Sequence, residues 1–134
     1  MALPKSVCLC SAGVEVCIDL SAGTPNVIHW GRPIGKNSAE ALEVSQLDSA
    51  PHCDFDEPQV IGIWRENARG FIGEPALKGS RPGRDWSHKF ELLKTEQDGN
   101  TVAFTSVDAD AELEVVARFE LTAQGVLKVS HSVT

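Results

Sequence analysis

The sequence lacks any long hydrophobic run. No segment of the 134 residues approaches the roughly 18 to 20 consecutive apolar residues that span a bilayer. At the N-terminus, Glu15 and Asp19 interrupt the apolar stretch that a secretory signal peptide needs. We therefore expect no membrane segment and no secretory signal, and we predict a cytoplasmic location.

The sequence also lacks an excess of positive charge. It has 19 acidic and 12 basic residues, which gives a net charge of −7. Nucleic-acid binding needs a basic surface that contacts phosphates, so the charge balance argues against a nucleic-acid partner. The length of 134 residues fits one domain, and 42% hydrophobic residues are enough for an ordinary core.

Metal-ligating residues are few and poorly spaced. The pair Cys8-x-Cys10 is too close for a zinc knuckle, and no two histidines have ligand spacing. We therefore predict no metal site and no cofactor, and we interpret the cysteines as free thiols in a reducing compartment. The cysteines concerned are Cys8, Cys10, Cys17 and Cys53, and the histidines are His29, His52, His88 and His131.

Local signatures of catalysis are missing as well. Acidic residues cluster at 54–57 and 108–110, but in turn-like segments, where aspartate usually accepts hydrogen bonds from the backbone. The sequence has no nucleophile elbow, and "GSRPG" is not followed by the lysine and hydroxyl of a phosphate-binding loop. Local patterns therefore give no support for a catalytic residue, although they leave a triad assembled from distant residues open.

What the sequence does contain is period-two alternation of apolar and polar residues, which predicts β-strands. Strands are expected at 14–20, 26–30 and 60–64, and again through residues 88–133, where Asp98-Gly99 indicates a hairpin. One short helix is expected from Asn37 to the residue before Pro51. The predicted fold class is all-β, an antiparallel β-sandwich with one short helix and a long loop.

The long loop, at 65–88, is rich in glycine and proline and ends in a polar, aromatic stretch. Residues 79–90, "GSRPGRDWSHKF", are called the tryptophan loop below. An indole beside guanidiniums and a carboxylate can bind hydroxyl groups or a protein surface, whereas Trp64, in an apolar segment, is expected to pack in the core. The candidate substrate-binding or interface residues are Trp30, Arg81, Arg84, Asp85 and Trp86.

Two stretches, "VIHWGRPIG" and "GEPALKGSRPGRDWSHKF", resemble the N-terminal domain of the α-galactosidases of glycoside hydrolase family 36. The flanking strands at both ends of the chain fit the same pattern, so the resemblance covers nearly the whole sequence. The loop motif is the more specific part. Its positions here are Gly73, Pro75, Leu77, Gly79, Arg81, Gly83, Arg84, Trp86, Ser87 and Phe90.

The resemblance implies a larger protein, in which an N-terminal β-supersandwich joins a (β/α)8 barrel and a small C-terminal β domain. The catalytic aspartates of that family lie on the barrel and act by the retaining route. Residues 1–134 would then be a truncated, single N-terminal domain without the barrel and inactive alone. The final strand, which runs almost to Thr134, fits the same expectation.

The implied partners are the chain's own catalytic barrel, further copies in a homo-oligomer, and a carbohydrate substrate with terminal α-galactosides. Two other interpretations stay open from the residues alone. The chain could be an independent carbohydrate-binding module that uses the tryptophan loop, or a domain whose loop docks a protein partner.

Overall fold

The computed structural model describes residues 3–35, 62–84 and 86–134. Within these ranges the chain forms seven antiparallel β-strands and one short 3₁₀ turn at Asn67–Arg69. The strands are β1 (Ser6–Ser11), β2 (Val14–Asp19), β3 (Asn26–Gly31), β4 (Glu91–Asp98), β5 (Thr101–Asp108), β6 (Leu113–Leu121) and β7 (Leu127–Val133). The predicted helix from Asn37 lies outside the described residues.

The first sheet has the order β1-β2-β3. β1 and β2 are joined by Ala12-Gly13, both with positive φ (51° and 76°), which is the backbone of a tight hairpin turn. The sequence predicted β2 with one buried face, but both faces are covered: Val16 and Ile18 face the core, and Cys17 on the opposite face is also buried. β2 is the central strand of the sheet, so it is covered more fully than its neighbours.

The second sheet is a four-stranded meander in the order β4-β5-β6-β7. The hairpin predicted at Asp98-Gly99 is present, with Asp98 paired to Thr101 across the turn. Along β6, buried residues alternate with more exposed ones from Val115 to Leu121, as the sequence pattern predicted.

One hydrophobic core joins the two sheets, and this arrangement confirms the predicted all-β sandwich. Phe104 of β5 and Phe119 of β6 meet edge to face, with ring centroids 5.7 Å apart. Buried core residues come from both sheets and from the segments between them. They are Val7, Leu9, Val16, Ile18, Leu20, Trp64, Phe90, Leu92, Val102, Phe104, Val115, Ala117, Phe119 and Leu121.

The strand predicted at 60–64 is wrong over its described part, because residues 62–64 form a bend. Gly62 has a φ of +65°, and a β-carbon there would lie 2.5 Å from Oγ1 of Thr24. The next residue, Ile63, donates its backbone N–H to the carbonyl of Pro25 at 2.8 Å. The segment therefore crosses the end of the first sheet instead of adding a strand.

The prediction that all cysteines are free thiols is wrong for Cys8 and Cys17, which form a disulfide. The two residues lie directly opposite each other on β1 and β2, where side chains of neighbouring antiparallel strands are closest. Cys10 is free and exposed, and Cys53 lies outside the described residues. Within the described ranges, we find no helix with the length and hydrophobicity needed to cross a membrane.

Candidate functional site

The tryptophan loop begins with a tight turn at Arg81-Pro82-Gly83-Arg84. The backbone N–H of each arginine donates to the carbonyl of the other, both at 3.1 Å. Proline fixes φ at the second position of such a turn, and Gly83 takes the positive φ, +77°, that the third position requires. The turn therefore holds both arginines at the base of a short, rigid hairpin.

Arg81 fastens this turn to the second sheet. Its guanidinium donates a hydrogen bond to the backbone carbonyl of Ala111, in the loop between β5 and β6. Ala111 is itself held by Asp108, whose Oδ1 accepts its backbone N–H at 3.1 Å. Arg81 is thus an anchoring residue as well as a candidate binding residue.

Asp108 organises the contact between the two loops. Its Oδ2 accepts the backbone N–H of Lys89 at 3.1 Å and faces Nδ1 of His88 at 3.3 Å. Its Oδ1 also accepts the N–H of Asp110, the turn pattern expected for an aspartate in this segment. Burial disfavours the charge, but hydrogen bonds from Ala111, Lys89 and His88 outweigh it and hold the pKa of Asp108 below its usual value.

A buried ion pair, which the sequence did not point to, fixes the other end of the long loop. Glu66 and Arg69 are 4% and 7% exposed, and Oε2 of Glu66 lies 2.8 Å from Nε of Arg69. Glu66 accepts the backbone N–H of Phe90 at 2.6 Å, and Arg69 donates to the carbonyl of the same residue at 2.7 Å. Arg69 also reaches the carbonyl of Ala22, between β2 and β3.

Burial of this pair disfavours the ionised form of its acid. Burial raises the pKa of Glu66 above its usual value, although hydrogen bonds from Phe90 and Arg69 act in the opposite direction. The spacing of three residues between Glu66 and Arg69 is the only sequence signal of the pair. The same spacing is common for exposed charges on a turn, so it does not reveal burial.

The three tryptophans have different surroundings. Trp64 is 7% exposed and packs against Phe90 and His131, with ring centroids 6.3 Å and 4.4 Å away, which confirms its predicted structural role. Trp86 is 82% exposed on the tryptophan loop, and Trp30 is 63% exposed on β3. Among the described residues, no ring contact joins Trp30 to Trp86.

The structure therefore brings together only part of the predicted site. Arg81, Arg84 and Trp86 lie on one short loop. Trp30 is on β3, an edge strand of the first sheet, and Asp85 lies outside the described residues. Two shallow grooves flank the loop, of about 220 Å³ and 300 Å³. The first is lined by Leu77, Lys78, Gly79, Ser80, Arg81, His88, Leu113 and Val133.

This geometry defines a class of protein. It is a β-sandwich domain with an anchored surface loop that carries an exposed tryptophan and two arginines. The sequence matches the glycosyl hydrolase family 36 N-terminal domain over residues 23–134, and the chain belongs to that family. The resemblance seen in the loop motif is confirmed. The parent family consists of glycoside hydrolases.

A curated relative supports the assignment. An alpha-galactosidase of Escherichia coli is 38% identical to the chain over 109 residues, which is 81% of this chain. The aligned region is 15% of the relative's own length, so the chain spans a small part of that enzyme. No solved structure shows a significant match to the chain.

Proposed function

We propose that this chain is the non-catalytic N-terminal domain of an α-galactosidase that hydrolyses terminal α-galactosides. In this proposal the tryptophan loop contacts the catalytic barrel or a neighbouring subunit and borders the sugar site. The relative's name supports the activity, and the short aligned share of its length supports a role as one domain of a larger enzyme.

The observation that carries the proposal is the exposure of Trp86 on a rigid support. An indole that is 82% exposed offers a large apolar surface and an N–H donor, and such residues are enriched where a protein binds a partner or ligand. The backbone that follows it is braced at Lys89 by Asp108 and at Phe90 by the Glu66–Arg69 pair, so the C-terminal end of the loop that carries the indole is held in place. A preorganised surface of this kind loses less entropy when it binds.

The proposal is tested by substituting Trp86→Ala in the full-length enzyme. We expect kcat/KM for an aryl α-galactoside to fall by about tenfold, which corresponds to losing one aromatic contact of about 1.4 kcal/mol. Leu93→Ala is the matched control, because Leu93 is 59% exposed but lies on β4. Light scattering on both variants reports the oligomeric state.

The outcomes separate the parts of the proposal. Lost turnover with an unchanged oligomer assigns Trp86 to the border of the sugar site, whereas a dissociated oligomer assigns it to a subunit interface. Unchanged turnover and an unchanged oligomer would contradict both. Hydrolysis of the same galactoside by the purified 134-residue chain would contradict the non-catalytic role.

The exposed indole also favours a second candidate, an independent carbohydrate-binding module. Ser87, the residue after Trp86, lines a groove of about 300 Å³ together with the polar residues Lys89 and Asp108, which could bind hydroxyl groups. Calorimetric titration of the 134-residue chain with galactosides distinguishes the two. Saturable binding that Trp86→Ala removes supports the module, and the absence of heat supports the domain of a larger enzyme.

A cytoplasmic location is part of the proposal. In that compartment thiols are kept reduced, so the Cys8–Cys17 disulfide would be open in the cell. Trapping thiols with an alkylating agent at the moment of lysis, followed by mass spectrometry, measures the redox state of this pair directly.

A further inference from the structure

The face of the first sheet that points away from the core carries a cluster of metal-binding side chains. Cys8 lies opposite Cys17 in the pairing of β1 with β2, and Glu15 precedes Cys17 by two residues on β2. Side chains two residues apart on a strand share a face, so all three project to the same side. The intervening residue, Val16, projects into the core.

The cluster is compact and largely covered. One ligand atom from each of Cys8, Glu15 and Cys17 lies within 4.8 Å of the others. Glu15 is 7% exposed and Cys17 is fully buried, while Cys8 is partly exposed. The backbone N–H of Ile34, from the segment after β3, donates to Oε2 of Glu15 at 2.9 Å. Such outer hydrogen bonds fix the orientation of carboxylates that bind metals.

We propose that the reduced chain binds one Zn²⁺ through the sulfurs of Cys8 and Cys17 and the carboxylate of Glu15. Two thiolates and a carboxylate suit Zn²⁺ and do not suit Mg²⁺ or Ca²⁺, which prefer oxygen ligands alone. In a tetrahedral zinc site the ligand atoms lie roughly 3.4–3.8 Å apart, since Zn–S and Zn–O distances are about 2.3 Å and 2.1 Å. Once the disulfide is opened, the two sulfurs must move apart to reach that spacing, and all three ligand atoms start within 4.8 Å of one another.

Two neighbouring residues are not counted as ligands. His29 pairs with Cys17 across β2 and β3, but neither of its ring nitrogens belongs to the group of ligand atoms that lie within 4.8 Å of one another. Cys10 lies opposite Glu15 but is exposed. Within the described part of the chain the site has three protein ligands, and we assign the fourth position to water.

The proposal makes the disulfide and the zinc site two states of the same pair of sulfurs. A phosphine opens the disulfide by giving two electrons from phosphorus, and water supplies the oxygen of the phosphine oxide and the two thiol protons. Zn²⁺ then binds the two sulfurs as thiolates and releases those two protons to solvent. The oxidised chain has no thiolate at this position and cannot form the site.

The test uses the 134-residue chain, which is first reduced with a phosphine. The phosphine is removed under anaerobic conditions, and the protein is titrated with Co²⁺ as a spectroscopic substitute for Zn²⁺. We expect a thiolate-to-cobalt charge-transfer band and the visible bands of a tetrahedral ion, saturating at one Co²⁺ per chain and removed by Zn²⁺. Cys8→Ser and Cys17→Ser should weaken the charge-transfer band and the affinity. Glu15→Gln should lower the affinity at least about tenfold, because even outer-shell partners contribute that much.

The matched control is Cys10→Ser on the same face, which should leave affinity and spectrum unchanged. The proposal is overturned if reduced wild type gives no charge-transfer band, if the band survives unchanged in Cys8→Ser, or if Glu15→Gln binds Co²⁺ as tightly as the wild type. Because the variants could fail to fold, a second measurement uses the wild-type chain alone. In the reduced wild type, Zn²⁺ should slow the alkylation of the partly exposed Cys8 but not that of Cys10. Alkylation of Cys8 at the same rate with and without Zn²⁺ would also overturn the proposal.

Discussion

At the scale of single residues, Asp108 is the acceptor on which two loops converge. Its two oxygens receive hydrogen bonds from Lys89 in the tryptophan loop and from Asp110 and Ala111 in the β5–β6 loop. A carboxylate that accepts hydrogen bonds from several backbone donors stabilises the loops that carry them. The pKa of Asp108 is lowered by the same contacts, so its contribution to stability depends on pH.

The sign of that dependence follows from the lowered pKa. The contribution of Asp108 is fully present above the unfolded pKa of about 3.9 and is lost as pH falls through the lower folded pKa. Asp108→Asn should therefore reduce the free energy of unfolding by about 2 kcal/mol at pH 7 and by progressively less as the pH falls below about 4. Urea denaturation at pH 7 and at a pH below about 4 measures the two free energies of unfolding. The control is Asp98→Asn, because Asp98 is exposed. An equal loss at both pH values would contradict the assignment.

At the scale of elements, the long loop behaves as a braced segment, because the buried pair of Glu66 and Arg69 ties it to two strands. Arg69 donates to the backbone carbonyls of Phe90, before β4, and of Ala22, after β2. Removing one partner of a buried ion pair leaves an uncompensated charge, which costs more than the pair contributes.

Arg69→Met should lower the free energy of unfolding by about 3–5 kcal/mol. Adding Glu66→Leu should restore part of the loss, since the stranded carboxylate is then also removed. Lys78→Met is the matched control, because Lys78 pairs with Glu74 at 3.1 Å while both side chains are about three-quarters exposed. Hydrogen exchange at the amide of Phe90 reports the brace itself. Equal destabilisation by Arg69→Met and Lys78→Met would show that burial of the pair contributes nothing.

Sequence reasoning succeeded for elements whose signals are local. The hairpin of β4 and β5 and the alternation along β6 follow from turn residues and period-two patterning within a few positions. β1 was missed because cysteines occupy its outward positions, so "SVCLCS" reads as apolar on both faces. The bend at Gly62 and the burial of Glu66 depend on contacts with distant segments, through Thr24 and Phe90, and no local pattern encodes them.

The same distinction applies to the site. The composition of the tryptophan loop singled out Trp86 and Arg81, and the structure places them on one anchored loop. The composition of the loop could not indicate that Trp30 lies on the first sheet, because strand pairing across the whole chain decides which sheet a strand joins.

At the scale of the whole molecule, the two sheets depend on one shared core. Ile18 of β2 is fully buried in the same cluster as Phe104 and Phe119 of the second sheet. Leu92 of β4 donates its backbone N–H to the carbonyl of Gly23, in the turn after β2, at 2.9 Å. Side chains packed in one core, and a backbone hydrogen bond from β4 to the turn that joins β2 and β3, indicate a single cooperative unit.

Ile18→Ala tests this cooperativity. Removing a fully buried isoleucine should lower the free energy of unfolding by about 2–5 kcal/mol, and the loss should reach both sheets. Native-state hydrogen exchange should show reduced protection of the amide of Phe104 in the second sheet, together with amides of β2. Leu93→Ala, at an exposed position on β4, should change neither sheet. If β2 loses protection while Phe104 keeps it, the sheets unfold separately, and the braced loop is then the main connection between two independent units.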